Sequence, residues 1–208
     1  FLNDLVSWTY FLQLSLKQTC IMALFFPNFE VINSLKVKAT DGELFLLKFL
    51  SDNLPDDYEV YFQPMLNWDF PDIIIMRRDY WLMVIEVKDW DLSNYFIEKI
   101  QKNNKTYVNW WLKKNDTNIK SPFDQVNSYK ENIYNTHIDH LLLEYQIKKW
   151  DRVFGLIKTA VYFHNESLSS IDHFFDSNRP KYTSIISNDS LNYNIFALNT
   201  KNEYFSDK

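Results

Sequence analysis

Phe70-Pro71-Asp72-Ile73-Ile74-Ile75-Met76, then Arg77-Arg78-Asp79-Tyr80, then Trp81-Leu82-Met83-Val84-Ile85-Glu86-Val87-Lys88 is the stretch that decides the fold. Two apolar runs of strand length flank a short polar break, the pattern of a β-hairpin. A turn centred on Asp79 pairs Asp72 with Glu86, since each lies seven residues from that centre. Side chains alternate along a strand, so Glu86 and Lys88 share a face while Ile85 and Val87 take the other. Asp72, Glu86 and Lys88 therefore converge. Like charges placed opposite one another are destabilising unless a cation lies between them. Lys88 supplies one positive charge. Hard oxygen ligands, with water in the remaining positions, suit Mg²⁺ or Mn²⁺ as cofactor.

Upstream, Thr40-Asp41-Gly42-Glu43 followed by Leu44 to Leu50 has the capping-box spacing of a helix start. Glu43 then has two readings: its carboxylate binds a backbone N–H in the box, or it stands beside Asp72 and Glu86. Tyr58 to Gln63 reads as a strand that leads through Pro64 to a turn at Asn67-Trp68-Asp69. Downstream, Ser121 caps a helix with Pro122 in its first turn. Gln125 and Tyr129 lie on one face of that helix, and Phe123, Val126 and Ile133 form its buried stripe. Val153 to Phe163, Tyr182 to Ile186 and Tyr193 to Leu198 are expected as later strands. The pattern is that of an α/β domain, a mixed central sheet flanked by helices, with a carboxylate cluster at one end.

Pro71-Asp72, thirteen intervening residues and Glu86-Val87-Lys88 resemble the PD-(D/E)xK signature of restriction-endonuclease-like nucleases. The wider text is similar to the nuclease-related domain known as NERD: Met22-Ala23-Leu24-Phe25-Phe26-Pro27, Thr40-Asp41-Gly42-Glu43 and Ile85-Glu86-Val87-Lys88-Asp89-Trp90. The likeness runs over roughly residues 22 to 190. It implies a restriction-endonuclease-like fold, Mg²⁺-dependent hydrolysis of DNA, and a superfamily 1 helicase as partner. It also implies Asp72, Glu86 and the Val87 carbonyl as metal ligands, and Lys88 as the group that orients or deprotonates the attacking water. Glu43 would hold a second metal or a metal-bound water, and Gln125 would position the nucleophile. Gln125-x-x-x-Tyr129 resembles the motif that follows the catalytic lysine in RecB-like nucleases. The alternative from another class is a catalytically silent DNA-binding or docking module of a helicase-linked system.

The chain has 208 residues, 46% of them hydrophobic and 18% aromatic, enough for one sizeable core. Residues 22–208 are expected as one nuclease-like domain with an insertion at about 89–120. A net charge of −5 gives no global footprint for nucleic acid, so any contact must come from a local patch. Lys99, Lys102, Lys105, Lys113, Lys114 and Lys120 interleave with Tyr95, Phe96, Tyr107, Trp110 and Trp111. Lysines neutralise phosphates and aromatic faces stack on bases. Lys99, Lys102, Lys105 and Tyr129 are the nucleic-acid contacts expected; the competing reading is a solvated hairpin with its aromatics turned inward.

The single cysteine, Cys20, excludes a disulfide framework and a zinc–cysteine site, which fits a cytoplasmic protein. The histidines His137, His140, His164 and His173 read as ordinary. Residues 1–21 are apolar but interrupted by Asp4 and Lys17, with no run long enough to span a bilayer. They read either as upstream translation before a natural start at Met22, or as an amphipathic N-terminal helix. A phosphate-binding glycine loop is missing, so no helicase motor is expected within these residues.

Overall fold

The computed structural model describes residues 22–78, 80, 82–102, 105–137, 155–176 and 180–198. The segment 1–21, His140, and the side chains of Lys102, Lys105 and His137 lie outside the described part. In chain order the elements are β1 (Leu24–Phe26), α1 (Phe29–Ser34), α2 (Asp41–Asn53), β2 (Tyr58–Phe62), β3 (Ile73–Arg77) and β4 (Leu82–Lys88). There follow β5 (Tyr95–Lys102), β6 (Lys105–Leu112), β7 (Thr117–Ile119), α3 (Pro122–Asn132), β8 (Ile157–Phe163), α4 (Leu168–Phe175), β9 (Thr183–Ser187) and α5 (Tyr193–Phe196).

Six strands form a mixed sheet in the order β1-β2-β3-β4-β8-β9. The consecutive strands β2, β3 and β4 are antiparallel, while β1 with β2, β4 with β8, and β8 with β9 are parallel. The expected α/β fold with a mixed sheet is what the chain adopts. In the central hairpin Ile73 faces Ile85 and Met76 faces Leu82. That register puts Asp72 in line with Glu86, one step beyond the last paired residues.

Alternation sorts the apolar side chains into two layers. Ile73, Ile75, Met83 and Ile85 pack with Leu46, Leu47 and Leu50 of α2. Ile74, Leu82 and Val84 pack on the opposite face with Phe123 and Val126 of α3 and Phe175 of α4. With both faces covered, β4 is buried from Leu82 to Val87, which is why it reads as a continuous apolar run. The same alternation directs Asp72, Glu86 and Lys88 to the α3 face. Helix α2, which carries Glu43, packs on the other face.

The parallel step from β4 to β8 needs a crossover, and residues 89–156 provide it. Within it β5, β6 and β7 form a separate antiparallel sheet. Its aromatics divide by face. Trp110 turns inward against Phe123, Phe174 and Phe175, whereas Phe96 and Trp111 stack on each other on the outer face.

One expected strand is a helix. Residues 193–196 form α5, whose N-cap Asn192 accepts the Asn194 N–H. Side chains anchor this tail in place of a ladder. Phe196 and Leu198 are buried in the α2-side core, the Leu198 N–H donates to the Tyr58 hydroxyl at 3.1 Å, and its carbonyl accepts from Arg77 Nη1 at 3.0 Å. The strand expected from Val153 is observed from Ile157. Among the described residues no helix is long and apolar enough to cross a membrane.

Candidate active site

Strand β3 ends its pairing at Ile73, and Asp72 continues the contact with its side chain. Asp72 Oδ2 accepts the Val87 N–H at 2.7 Å. The N–H and C=O of a strand residue face the same neighbour. The Val87 carbonyl therefore also turns toward Asp72, whereas the Lys88 carbonyl accepts the His164 N–H at 2.9 Å on the other edge. Glu86 is 1% exposed. Its Oε1 accepts from Lys88 Nζ at 2.5 Å, and its Oε2 is buried without a hydrogen-bond partner. The Lys88 ammonium also lies 5.4 Å from the centroid of the Trp90 ring, within cation–π range.

A buried carboxylate, Glu86, and a half-buried one, Asp72, oppose each other's ionisation at one end of the hairpin. Burial pushes Asp72 up to about 7, with the charge of Glu86 adding to the rise and the Val87 N–H and Lys88 opposing it. Burial also raises Glu86, against the pull of Lys88 and, more weakly, of Lys120. A buried anionic oxygen without a partner is costly. Here Asp72 lies near enough to feel the charge of Glu86, and the Val87 carbonyl turns to the Asp72 side of the strand. That is a hard oxygen donor set, and the residues fit a divalent cation such as Mg²⁺ or Mn²⁺.

Glu43 is buried and its capping box is formed: Oε2 accepts the Thr40 N–H at 2.7 Å, and Thr40 Oγ1 accepts the Glu43 N–H at 3.3 Å. Its other oxygen, Oε1, accepts from Gln63 Nε2 at 2.9 Å. The position expected of a metal ligand thus holds a carboxylate with both oxygens engaged, on a helix that packs on the far face of the sheet. Its charge still reaches Asp72 and Glu86. Among the described residues no group of three or more acidic, histidine or cysteine side chains gathers as a ready ligand set.

Gln125 Nε2 donates to the Tyr129 hydroxyl at 2.8 Å, and that hydroxyl donates to the Phe70 carbonyl at 3.3 Å. Burial raises the Tyr129 pKa, with Gln125 opposing and Glu86 and Asp72 adding, so this pair borders the carboxylates. Lys99 stands exposed on β5, in the second sheet.

Three contributions escaped the sequence reading. Gln63 takes a φ of 45°, donates its N–H to the Asp72 carbonyl at 2.8 Å, and bonds Glu43 through its side chain. Asp89 Oδ2 accepts the Gly42 N–H at 3.3 Å and so ties the start of α2 to the residue after Lys88. Glycine is required there, since a Cβ at position 42 would lie 2.0 Å from Asp89 Oδ1. Lys120, which the sequence placed in the lysine–aromatic patch and not at the carboxylates, stands just ahead of α3 and adds positive charge near Glu86. The available signal for Asp89 was Gly42, one of only two glycines in the chain, set inside a capping box.

No curated protein and no solved structure matches the chain. A family model described as Nuclease-related domain, NERD, matches residues 38–164. The match covers more than half of the chain and takes in α2, the central hairpin, the second sheet, α3 and β8. The chain belongs to the nuclease-related domain family, within the restriction-endonuclease-like superfamily.

Proposed function

We propose that the chain is a divalent-metal-dependent deoxyribonuclease that hydrolyses DNA phosphodiester bonds at the joined ends of β3 and β4. The observation that carries this reading is the buried, partnerless Oε2 of Glu86, set beside Asp72 and against Lys88. Asp72, Glu86 and the Val87 carbonyl would hold the metal. When bound, Mg²⁺ or Mn²⁺ supplies Lewis acidity toward a phosphate oxygen and a water of lowered pKa.

The chain's own groups do the rest. Lys88 is held between Glu86 and the face of Trp90, where its ammonium orients the attacking water and offsets charge that builds on the phosphate. Gln125 and Tyr129 orient water or phosphate oxygen without adding charge. Glu43 acts through Gln63, whose N–H fixes the Asp72 backbone. Lys99, Lys102 and Lys105 serve the flanking phosphates, and a superfamily 1 helicase is the partner within the same proposal.

The test is incubation of plasmid and of single-stranded DNA with Mg²⁺, with EDTA, and with the Lys88→Ala protein. Cleavage is expected with Mg²⁺, lost in EDTA, and reduced about 10²–10⁴-fold by the substitution. Cleavage that survives Lys88→Ala removes Lys88 from the chemistry. Absence of cleavage with every divalent ion leaves a silent DNA-binding module.

A further inference from the structure

The hairpin that delivers Asp72 does not stop at the sheet. Phe62 faces Ile73 in the ladder, the Gln63 N–H donates to the Asp72 carbonyl, and farther out Leu66 and Asp69 exchange both backbone hydrogen bonds at 2.9 Å. The arm keeps one register to its tip. The two residues that close it, Asn67 and Trp68, have φ of 46° and 73°. Positive φ at both central residues marks a type I′ turn, whose preferred sequence is Asn-Gly. Asn67 fits. Trp68 stands where glycine is preferred, and a bulky residue at positive φ is a steric outlier.

Nothing within the fold offsets that penalty through burial, because Trp68 is 87% exposed. Its neighbours Met65 and Phe70 are 70% and 52% exposed. The arm beneath them is fixed: Leu66 packs on the α3-side core, Asn132 Nδ2 donates to Asp69 Oδ2 at 2.6 Å, and Tyr129 holds the Phe70 carbonyl. An apolar indole is thus displayed on an anchored arm, four residues from Asp72. The chain's reach sets their Cα separation at no more than about 14 Å. That is about four base steps at the 3.4 Å spacing of one strand.

Residues 64–71 include no lysine or arginine, so this tip is not built for phosphates. Its chemistry suits the flat face of a base, which a duplex keeps stacked inside and an unpaired strand exposes. We propose that Trp68 is a base-stacking site for single-stranded DNA, gripping an unpaired nucleotide within about four nucleotides of the phosphate that reaches Asp72 and Glu86. The substrate class would then be single-stranded or frayed DNA. This rests on the nuclease reading above.

The test uses a fluorescein-labelled single strand of about 16 nucleotides, with binding read by anisotropy in EDTA so that no cleavage intervenes. Trp68→Gly suits the turn, so its melting temperature should equal or exceed that of the wild type. Its affinity for the strand should fall about tenfold, with Trp68→Phe retaining most of it. Moving one abasic site along the strand should weaken wild-type binding most at a single position and leave Trp68→Gly insensitive there. Equal affinity of Trp68→Gly and wild type, or the same response of both to every abasic position, overturns the stacking site. A wild type that shows the Trp68-dependent abasic pattern yet cleaves nothing with Mg²⁺ overturns the nuclease reading and supports the stacking site. Mg²⁺-dependent cleavage with no effect of Trp68→Gly on binding overturns the stacking site alone.

Discussion

Asp72 and Val87 are joined by a 2.7 Å hydrogen bond from the Val87 N–H to the Asp72 carboxylate. A side chain extends the ladder just ahead of the start of β3, so the acid is fixed by the neighbouring strand β4. The bond separates two functions of one residue. Asp72→Ala removes the acceptor and should cost about 1–3 kcal/mol in urea unfolding. Asp72→Asn keeps an acceptor oxygen and removes a half-buried charge beside Glu86, so the metal-free fold should be as stable as wild type or more so at neutral pH. Both should lose cleavage.

The metal-free protein should also lose stability as pH rises. Asp72 sits at about 7 in the fold against an ordinary 3.8, and Glu86 is raised in the same direction. Over that interval the folded state binds more protons than the unfolded chain. Stability is then fully present below about pH 4 and declines as pH passes through about 7. The slope contributed by one such group is at most about 1.4 kcal/mol per pH unit. Thermal melts in EDTA across this range measure it. Asp72→Asn should flatten the curve, and an unchanged curve would place the proton elsewhere.

Gly42 and Asp89 should behave as a coupled pair. A methyl group at position 42 meets Asp89 Oδ1 at 2.0 Å and His164 Cβ at 2.8 Å. Gly42→Ala should therefore destabilise by about 1–3 kcal/mol and lower cleavage by moving α2 away from β4. Removing the obstructing carboxylate in Gly42→Ala/Asp89→Ala should recover part of that loss. A double-mutant cycle with an interaction energy of about 0.5 kcal/mol or more is expected, and strict additivity would contradict the close approach.

Lys130 gives a second pH signature, of opposite sign. It is buried on α3, and burial lowers its pKa to about 8 from 10.5. Between those values the unfolded chain binds more protons than the fold, so this group makes stability rise with pH there. Lys130→Met should abolish that rise in unfolding curves recorded from about pH 8 to about pH 10.

The central hairpin was legible because two apolar runs of strand length flank a short polar break, and a reversal centred on Asp79 gives the register in which Ile73 faces Ile85. The α2 cap was legible because Thr40 and Glu43 settle it locally. Long-range partners were not. Gln63 adopts positive φ where Glu43, twenty residues earlier, receives its side chain. Tyr129 finds the Phe70 carbonyl across 59 residues. The capping-box reading of Glu43 was within reach of the sequence, whereas the Gln63 side chain that occupies its second oxygen was not. Residues 193–198 are apolar and aromatic enough to suggest a strand, yet the Asn192 cap and the hold of Tyr58 and Arg77 on Leu198 make a short helix followed by an anchored tail.

The most direct measurement is Mn²⁺ uptake, followed by the loss of the free-ion electron paramagnetic resonance signal, for wild type and Glu86→Gln side by side. Wild type is expected to take up Mn²⁺ and release it to excess Mg²⁺, with affinity at least about tenfold weaker in Glu86→Gln. Equal uptake by the two proteins, or none by the wild type, would contradict a metal held between Asp72 and Glu86.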